Sequence, residues 1–445
     1  MTHVVIGAGL SGLVAAVELA SQGREVLVLE ASGALGGRAQ THRSEGFALN
    51  LGPHALYPGA ERQLAELGVN VTGGVPKRGL TMEVGDRIAP LPGDAVTLLG
   101  NGALGWNDKL RVGWLLGRLG WIDADPLDRV TVGEWLDAMG LQGTAKDVAL
   151  AVVRISTYVN ASDRMSAGVA IRQIRGALDG VRYLDGGWAT IVDGLLERAR
   201  ELGVVVRSRA KVERLEVEAG RVVGVMLRDG ERIATEGVVL TLSPKASVRL
   251  LGEHARPSLA TFAADSVAVR AACLDVALRR LPRRHPSLIL GTNEPTYVSI
   301  HSNVAALAPT DGGVIHVARY LAPDERVDGA TRAQLEGYLD RSQPGWRDEV
   351  EEVRWSPAMT VMHAIPEARD GGLAGRPTVA SAGPTNLALA GDWVGPEGLL
   401  ADACVTSARA AARWIARGDR EAQGVTYRSS SKVCGPDSES LSSTT

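Results

Sequence analysis

The run Val4-Val-Ile-Gly7-Ala-Gly9-Leu-Ser-Gly12-Leu-Val-Ala-Ala-Val-Glu-Leu-Ala20 constrains this chain more than any other stretch. An apolar strand, Val4 to Ile6, leads into three spaced glycines, and a helix opens with Leu13, Ala16, Val17 and Ala20 at helical spacing until Gly23 closes it. Each glycine has its own reason. Gly7 permits the tight turn, Gly9 lets the backbone approach a pyrophosphate, and Gly12 lets helix and strand pack closely, while the helix N-terminus offers free N–H groups and partial positive charge. A second strand, Glu25 to Leu29, ends in Glu30, placed to accept hydrogen bonds from ribose hydroxyls and to disfavour a 2′-phosphate. Strand, helix and acid at these offsets predict a dinucleotide-binding unit.

The composition narrows the class. A chain of 445 residues with 45% apolar and 22% charged residues has the balance of a soluble enzyme of two or three domains. A net charge of -3 provides no overall basic field, so no nucleic-acid partner is expected. The first strand begins too near Met1 to leave room for a secretory leader, and a cytoplasmic protein is expected. Cys273, Cys404 and Cys434 are odd in number and far apart, which argues against a disulfide framework or a zinc site, and no metal is expected. The signatures of zinc hydrolases, serine nucleophiles and P-loops are absent.

After Glu30 and Ala31 the chain runs through Gly33-Ala-Leu-Gly36-Gly37-Arg38, a glycine-rich loop with one arginine. Such a loop can wrap a pyrophosphate a second time and pair with it through charge-assisted hydrogen bonds. Asn50-Leu-Gly52-Pro53-His54-Ala-Leu-Tyr57 follows, where glycine and proline bring backbone close to something flat. Near the other end, Leu387-Ala-Leu-Ala-Gly391-Asp392-Trp393 again sets a glycine and an acid after an apolar strand.

These motifs together resemble the flavin-containing amine oxidase and phytoene desaturase superfamily, with the phytoene desaturase-like branch the nearer. The resemblance covers both ends of the chain. It implies an α/β fold in which a Rossmann-type FAD-binding domain is interleaved with an α+β substrate domain, and FAD as the cofactor. It marks Gly7, Gly9, Leu10, Ser11 and Gly12 for the cofactor, then Glu30 and Ala31, then Gly36, Gly37 and Arg38. Gly52, Pro53 and His54 would follow, Val212 would touch the adenine end through its backbone, and Gly391, Asp392, Leu399 and Leu400 would close the flavin end. In that family the acid contacts the phosphate-ribityl region, and the start of the last helix points at the pyrimidine edge of the ring. A helix N-terminus there stabilises the negative charge of a reduced flavin. Residues 1–79, 183–245 and 375–423 are expected to form the FAD-binding domain, and residues 80–182 and 246–374 the substrate domain. The serine-rich tail 424–445 is too poor in apolar residues to fold alone.

The middle of the chain is read from periodicity. From Leu80 to Arg182 the composition is helical, with Trp106, Leu110, Trp114, Leu115, Leu119 and Trp121 at near-helical spacing among Lys109, Arg111 and Arg118. This stretch reads either as a helix packed on a core or as a basic, tryptophan-edged helix that touches a membrane or forms the mouth of an apolar tunnel. Gly100-Asn-Gly102-Ala-Leu-Gly105 copies the dinucleotide pattern, but it lacks a convincing strand before it, and Asp108 would set a negative charge where a pyrophosphate should sit. A helix from Ile191 to Leu202 precedes a β-meander over Val212–Glu218, Arg221–Leu227 and Arg232–Thr235, and Gly237–Thr241 returns as a strand. Strands are then expected over Val267–Leu278, within Leu288–Ile300, over Gly313–Leu321 and near Met359–Ile365, with a helix near Ala330–Leu339 and another from Leu400 to Ala416, halted by Gly418. His301, His316 and His363 fall on these strands and read as structural residues.

By the same resemblance the reaction is hydride transfer from a substrate C–H to flavin N5, creating C=C or C=N. Amine oxidases characteristically follow the second flavin motif with Gly-Tyr-Met-Glu-Gly-Ala, whose tyrosine is one wall of an aromatic cage for the amine. Here the matching text is Gly398-Leu399-Leu400-Ala401-Asp402-Ala403, and leucine offers no π face to a cation. An apolar, isoprenoid- or polyene-like substrate is therefore expected. Amine or protoporphyrinogen oxidation is the alternative, and a protein whose FAD is purely structural a further one. His54, Tyr57 and Trp393 adjoin the motifs and are the candidates to face the ring, with Glu397 a further candidate base. His54 either moves a proton near neutral pH or anchors its loop.

Overall fold

The computed structural model describes residues 2–52, 54–77 and 79–430, with side chains to residue 418. Five parallel strands form one sheet in the order Val205–Arg207, Val26–Leu29, His3–Ile6, Gly237–Leu240, Leu387–Leu389. Their near-continuous Val, Leu and Ile runs follow from burial on both faces. Side chains alternate between the faces. Val5, Val28, Val239 and Ala388 pack under the helices Leu10–Ser21, Ala189–Glu201 and Leu400–Ser430. Val4, Ile6, Leu29, Val238 and Leu240 face the meander Val212–Glu218, Arg221–Leu227, Arg232–Ala234 instead. The meander matches its expected bounds because its turns are local: Ala219 and Gly220 both take positive φ (48° and 75°), as the tight hairpin turn requires.

A second sheet carries the other domain, in the order Val350–Met362, Val269–Leu278, Gly313–Leu321, Thr296–Ile300, Leu288–Gly291, Leu80–Val84, Arg87–Pro90. Its last two strands lie where a purely helical stretch is expected from Leu80 onward. They are short, pair with each other, and join the sheet only where Leu80–Val84 pairs with Leu288–Gly291, more than 200 residues later. The helices Trp106–Leu119, Gly143–Thr157 and Ala167–Leu178 cover this sheet and share a core with it. Gly100 to Gly105 is the turn between the helices Ala95–Leu99 and Trp106–Leu119, pinned by the Asn101 side-chain oxygen accepting from the N–H groups of Ala103 and Leu104. A helix and not a strand leads directly into it, so the copied glycine pattern lacks the strand–turn–helix architecture of a nucleotide site.

The final helix runs Leu400–Ser430 and passes Gly418 rather than ending there. One glycine costs a helix interior about 1 kcal/mol, and the preceding turns are anchored by buried Val405, Ala408, Ala411, Ala412 and Ile415. The expected tail therefore begins as helix over 424–430, and 431–445 lies outside the described residues. Among the described residues no helix is long and apolar enough to cross a membrane.

Candidate functional site

The first turn is built as its glycines require. Gly7 has φ +104°, and a Cβ there would lie 2.6 Å from Thr241 Oγ1; a Cβ on Gly12 would lie 1.8 Å from the Gly7 carbonyl oxygen. Gly9 differs. Its backbone (φ -77°, ψ -176°) suits any residue, and a Cβ there would meet nothing within 4 Å. Space in front of Gly9 is thus kept open by sequence and not by packing, which is the signature of a ligand approaching the backbone.

The second glycine loop closes over the first. Gly36 N–H donates to Ala8 O at 2.8 Å, and Gly9 and Gly36 form a parallel bridge. Glu30 accepts from the N–H groups of Ala8 (2.9 Å) and Ser32 (2.8 Å), which fixes its carboxylate on the cavity wall with lone pairs left to accept further hydrogen bonds. Arg38 then reaches across to the last motif, 354 residues on. Its Nη1 donates to Asp392 Oδ2 (2.8 Å) and to the Val361 carbonyl (2.7 Å). Asp392 also receives the His363 backbone N–H (3.2 Å) and faces His363 Nδ1 (2.7 Å). Burial alone would push the Asp392 carboxyl up, but Arg38 and His363 outweigh it and hold it well below the ordinary carboxylate range.

These loops form one end of a cavity of ≈ 1050 Å³, at the top of the range of small-molecule sites, as one holding both a cofactor and a substrate requires. Of the sequence candidates, Gly7, Gly9, Leu10, Ser11, Glu30, Gly36, Gly37, Arg38, Gly52, His54, Tyr57, Gly391, Asp392, Trp393 and Leu400 line it. Gly12 stands behind the wall as a packing residue. Ala31 is exposed and off the wall, because the chain turns outward after Glu30. Val212 points its side chain into the core below the sheet, two residues beyond Ala210, whose N–H bonds Glu30 O; it stands near the Glu30 end of the cavity without lining it. Leu399 is buried among the helices of the second domain. Glu397 is exposed, carried away from the cavity by the turn between Gly395 and Gly398, both at positive φ, and it cannot serve as a base inside. Pro53 lies outside the described residues.

Trp393 is fully buried, donates its Nε1–H to Leu242 O (3.0 Å) and stacks on Phe262 at 5.8 Å, so its polar handle is already committed to the fold. Tyr57 donates to Ser156 O at 3.0 Å, and burial pushes its phenol up to about 12. Leu400 sits at φ +54°, a left-handed conformation costing about 1–3 kcal/mol for a non-glycine residue, at the first position of the last helix and on the cavity wall.

His54 has company that no spacing in the sequence announces. Its ring lies 3.8 Å from that of His316 and 4.5 Å from that of His301. His316 Nδ1 is bonded to Asp275 Oδ1, Arg354 donates to Asp275 Oδ2 (2.9 Å), and Arg354 also holds the carbonyls of Leu49 and Asn50, just ahead of His54. Both ring nitrogens of His54 are buried with no hydrogen-bond partner among the described residues. Burial first, then His316, His301 and Arg354, lowers its pKa well below the ordinary 6.5, so the imidazole is neutral at physiological pH. His54, His316 and Asp275 also lie close enough to grip a metal. The carboxylate, however, is already shared between His316 and the Arg354 cation, a poor setting for a second positive charge.

Beyond the glycine loops the wall is set by Leu80, Leu91, Val152, Ile155, Ile174, Leu288, Met359 and Val361, together with Tyr158 and Tyr297, whose hydroxyls bond each other at 3.0 Å. Cys404 lines the wall too, but burial pushes its thiol up to about 11, which keeps it un-ionised.

The profile of flavin containing amine oxidoreductases matches residues 10–416. The chain belongs to the flavin-containing amine oxidoreductase family. A putative flavin-containing monoamine oxidase of Mycobacterium tuberculosis is 30% identical over 268 residues, 55% of this chain and 57% of that one. The 15-cis-phytoene desaturase of an Oncidium hybrid cultivar is 25% identical over 277 residues, 56% and 47% of the two chains. The match thus spans about half the length of these curated relatives. Among solved structures, an oxidoreductase from Methanosarcina mazei superposes with a TM-score of 0.72 at 19% identity, covering 92% of this chain and 99% of that one. A putrescine oxidase bound to putrescine gives 0.73 at 17%, covering 94% and 99%. These two establish the fold of this family member. Its cofactor is FAD, and the open face of Gly9, the interlocked glycine loops and the fixed Glu30 fit that group.

Proposed function

We propose that this family member oxidises an apolar small molecule by desaturation, removing hydride and proton from adjacent carbons to leave C=C. The observation that carries this reading is the wall: of the carboxylates on it, Glu30 is bonded to two backbone N–H groups, Asp392 is paired with Arg38, and Asp179 is exposed at the rim. Among the described residues none is left inside to receive an ammonium group. Tyr158 and Tyr297 do not supply an aromatic cage either, because their rings meet edge to face (82°, 6.3 Å) and not as two facing walls. With Leu400 at the end of the cavity, the substrate side is apolar.

FAD, when bound, supplies the two-electron acceptor for the hydride. Gly7, Gly9 and the start of the helix Leu10–Ser21 would receive its pyrophosphate and Glu30 its ribose. Arg38 and Asp392 would hold the middle of the cofactor from both chain ends. The largely apolar wall offers few polar partners to water around the reacting carbons. His54, neutral and with both ring nitrogens unpartnered among the described residues, is placed to take the proton that leaves the adjacent carbon, and Asp275 fixes the His316 ring beside it.

Anaerobic mixing of purified holoprotein with detergent-dispersed polyenes is expected to bleach the flavin, while primary and secondary amines leave it oxidised. Rapid bleaching by amines, with none by polyenes, would overturn the reading.

His54→Gln is expected to retain FAD, judged by its visible spectrum, while turnover falls by about 10²–10⁴, the usual contribution of a positioned acid or base. Because the active form is the neutral ring and its pKa is depressed, the wild-type rate is expected to stay level as pH falls through 6.5 and to decline only in more acid solution. Full turnover in the variant, or a decline centred at 6.5 or above, would remove His54 from the mechanism.

A further inference from the structure

The helix Trp106–Leu119 has two apolar faces, and only one is used. Val112, Leu115 and Leu119 are buried against the neighbouring helices. On the opposite side Trp106 is 70% exposed, Leu110 70% and Trp114 45%; Trp121, just beyond the end of the helix, is 90% exposed. At 100° per residue, Trp106, Leu110 and Trp114 fall within an arc of about 80°. Val96 and Leu99 of the helix alongside are exposed as well. Scattered apolar residues need no explanation, but a contiguous stripe with three tryptophans does.

Basic residues flank the stripe. Lys109 lies on one side, its Nζ 5.0 Å over the Trp106 ring and donating to Leu99 O; Arg118 lies on the other, 4.9 Å over Trp114, with Arg111 beside it. Asp108 is the only acid of this helix. The helix itself is therefore net positive, on a chain whose net charge is -3. Tryptophan, leucine and flanking cations on one helix face are what the headgroup boundary of an anionic bilayer accommodates, with rings at the interface and basic groups among the phosphates.

The buried face of the same helix leads inward. Pro92, Leu115 and Leu116 line a small apolar void behind it, and Val152 and Ile174 are common to that void and to the main cavity. We propose that the helix Trp106–Leu119 is a membrane-docking element that seats the protein on an anionic lipid surface, so that an apolar substrate passes from the bilayer beneath this helix into the cavity. The entry route rests on the desaturase reading above; the docking does not.

The test uses the full-length holoprotein and two kinds of vesicle, phosphatidylcholine alone and phosphatidylcholine with phosphatidylglycerol. Wild-type protein is expected to sediment with the anionic vesicles at least tenfold more than with the neutral ones. The variant Trp106→Gln/Leu110→Gln/Trp114→Gln/Trp121→Gln, altered only at exposed positions, is expected to remain in the supernatant with its flavin spectrum and melting temperature unchanged. Lys109→Glu/Arg111→Glu/Arg118→Glu is expected to lose the preference for anionic vesicles. With a polyene dissolved in the vesicles, the quadruple variant should lose at least tenfold in flavin bleaching but match wild type on the same polyene in detergent. Equal bleaching from vesicles would overturn the entry route, whereas no bleaching of wild type in either medium would count against the desaturase reading and leave docking to be judged by sedimentation. Wild-type protein that stays in the supernatant with both vesicles overturns docking, as does a dimer that the quadruple variant turns into a monomer, which would assign the face to a second copy.

Discussion

Gly9→Val is expected to yield a folded protein without flavin, and Gly12→Val no folded protein at all. A valine Cβ at position 12 would sit 1.8 Å from the Gly7 carbonyl oxygen, inside the contact between the helix Leu10–Ser21 and the turn that follows the strand His3–Ile6. No side-chain movement relieves a clash with backbone, so the penalty should exceed the about 1–3 kcal/mol typical of overpacking. At position 9 the backbone is already extended and the Cβ meets nothing; replacing glycine at a helix N-cap by an aliphatic residue costs about 1 kcal/mol. The introduced isopropyl group would fill the space left for the pyrophosphate. Flavin absorbance per protein and thermal melts separate the two outcomes. A yellow Gly9→Val protein with full flavin content would show that the space in front of Gly9 is not the cofactor's.

Asp392→Ala is expected to lose most of its FAD and about 3 kcal/mol of stability. Removing one partner of a buried ion pair typically costs about 3–5 kcal/mol, and the lower figure applies because the Arg38 side chain is 35% open. The pH dependence has a definite sign. Because Asp392 is depressed in the folded state, the stability it contributes is fully present above the ordinary carboxylate value of 3.8 and is lost as pH falls toward its depressed value. Wild-type protein should therefore lose more stability than the variant between pH 5 and pH 3. Flavin content after gel filtration and melting temperature across that range test both parts; equal acid sensitivity of the two proteins would show that the pair carries no such linkage.

Local features of the site were legible in the sequence, and long-range ones were not. Gly7, Gly9, Gly12, Glu30 and the meander announce themselves because each depends on neighbours a few residues away. Asp275 and His316 do not: they stand opposite each other on antiparallel strands, and only that pairing sets Asp275 against His316 and, behind it, Arg354. The strand Val350–Met362 was expected only near its end, because its earlier part carries Glu351, Glu352 and Arg354 on an edge where charge is tolerated. The tryptophans of Trp106–Leu119 gave the correct period but not the direction, since a helix with two apolar faces has the same spacing whichever one is buried.

The pairing of Arg38 with Asp392 also sets a clock. At a synthesis rate of about 5–20 residues per second, the 354 residues between them take about 20–70 s to emerge. The parallel sheet is itself incomplete until Leu387–Leu389 docks beside Gly237–Leu240. Throughout that interval the first glycine turn exists without its counterpart, so the nascent chain has only half a grip on the cofactor. On this reading stable acquisition of FAD is expected only after Leu387–Leu389 has emerged, and chains truncated before that strand are expected to hold no flavin.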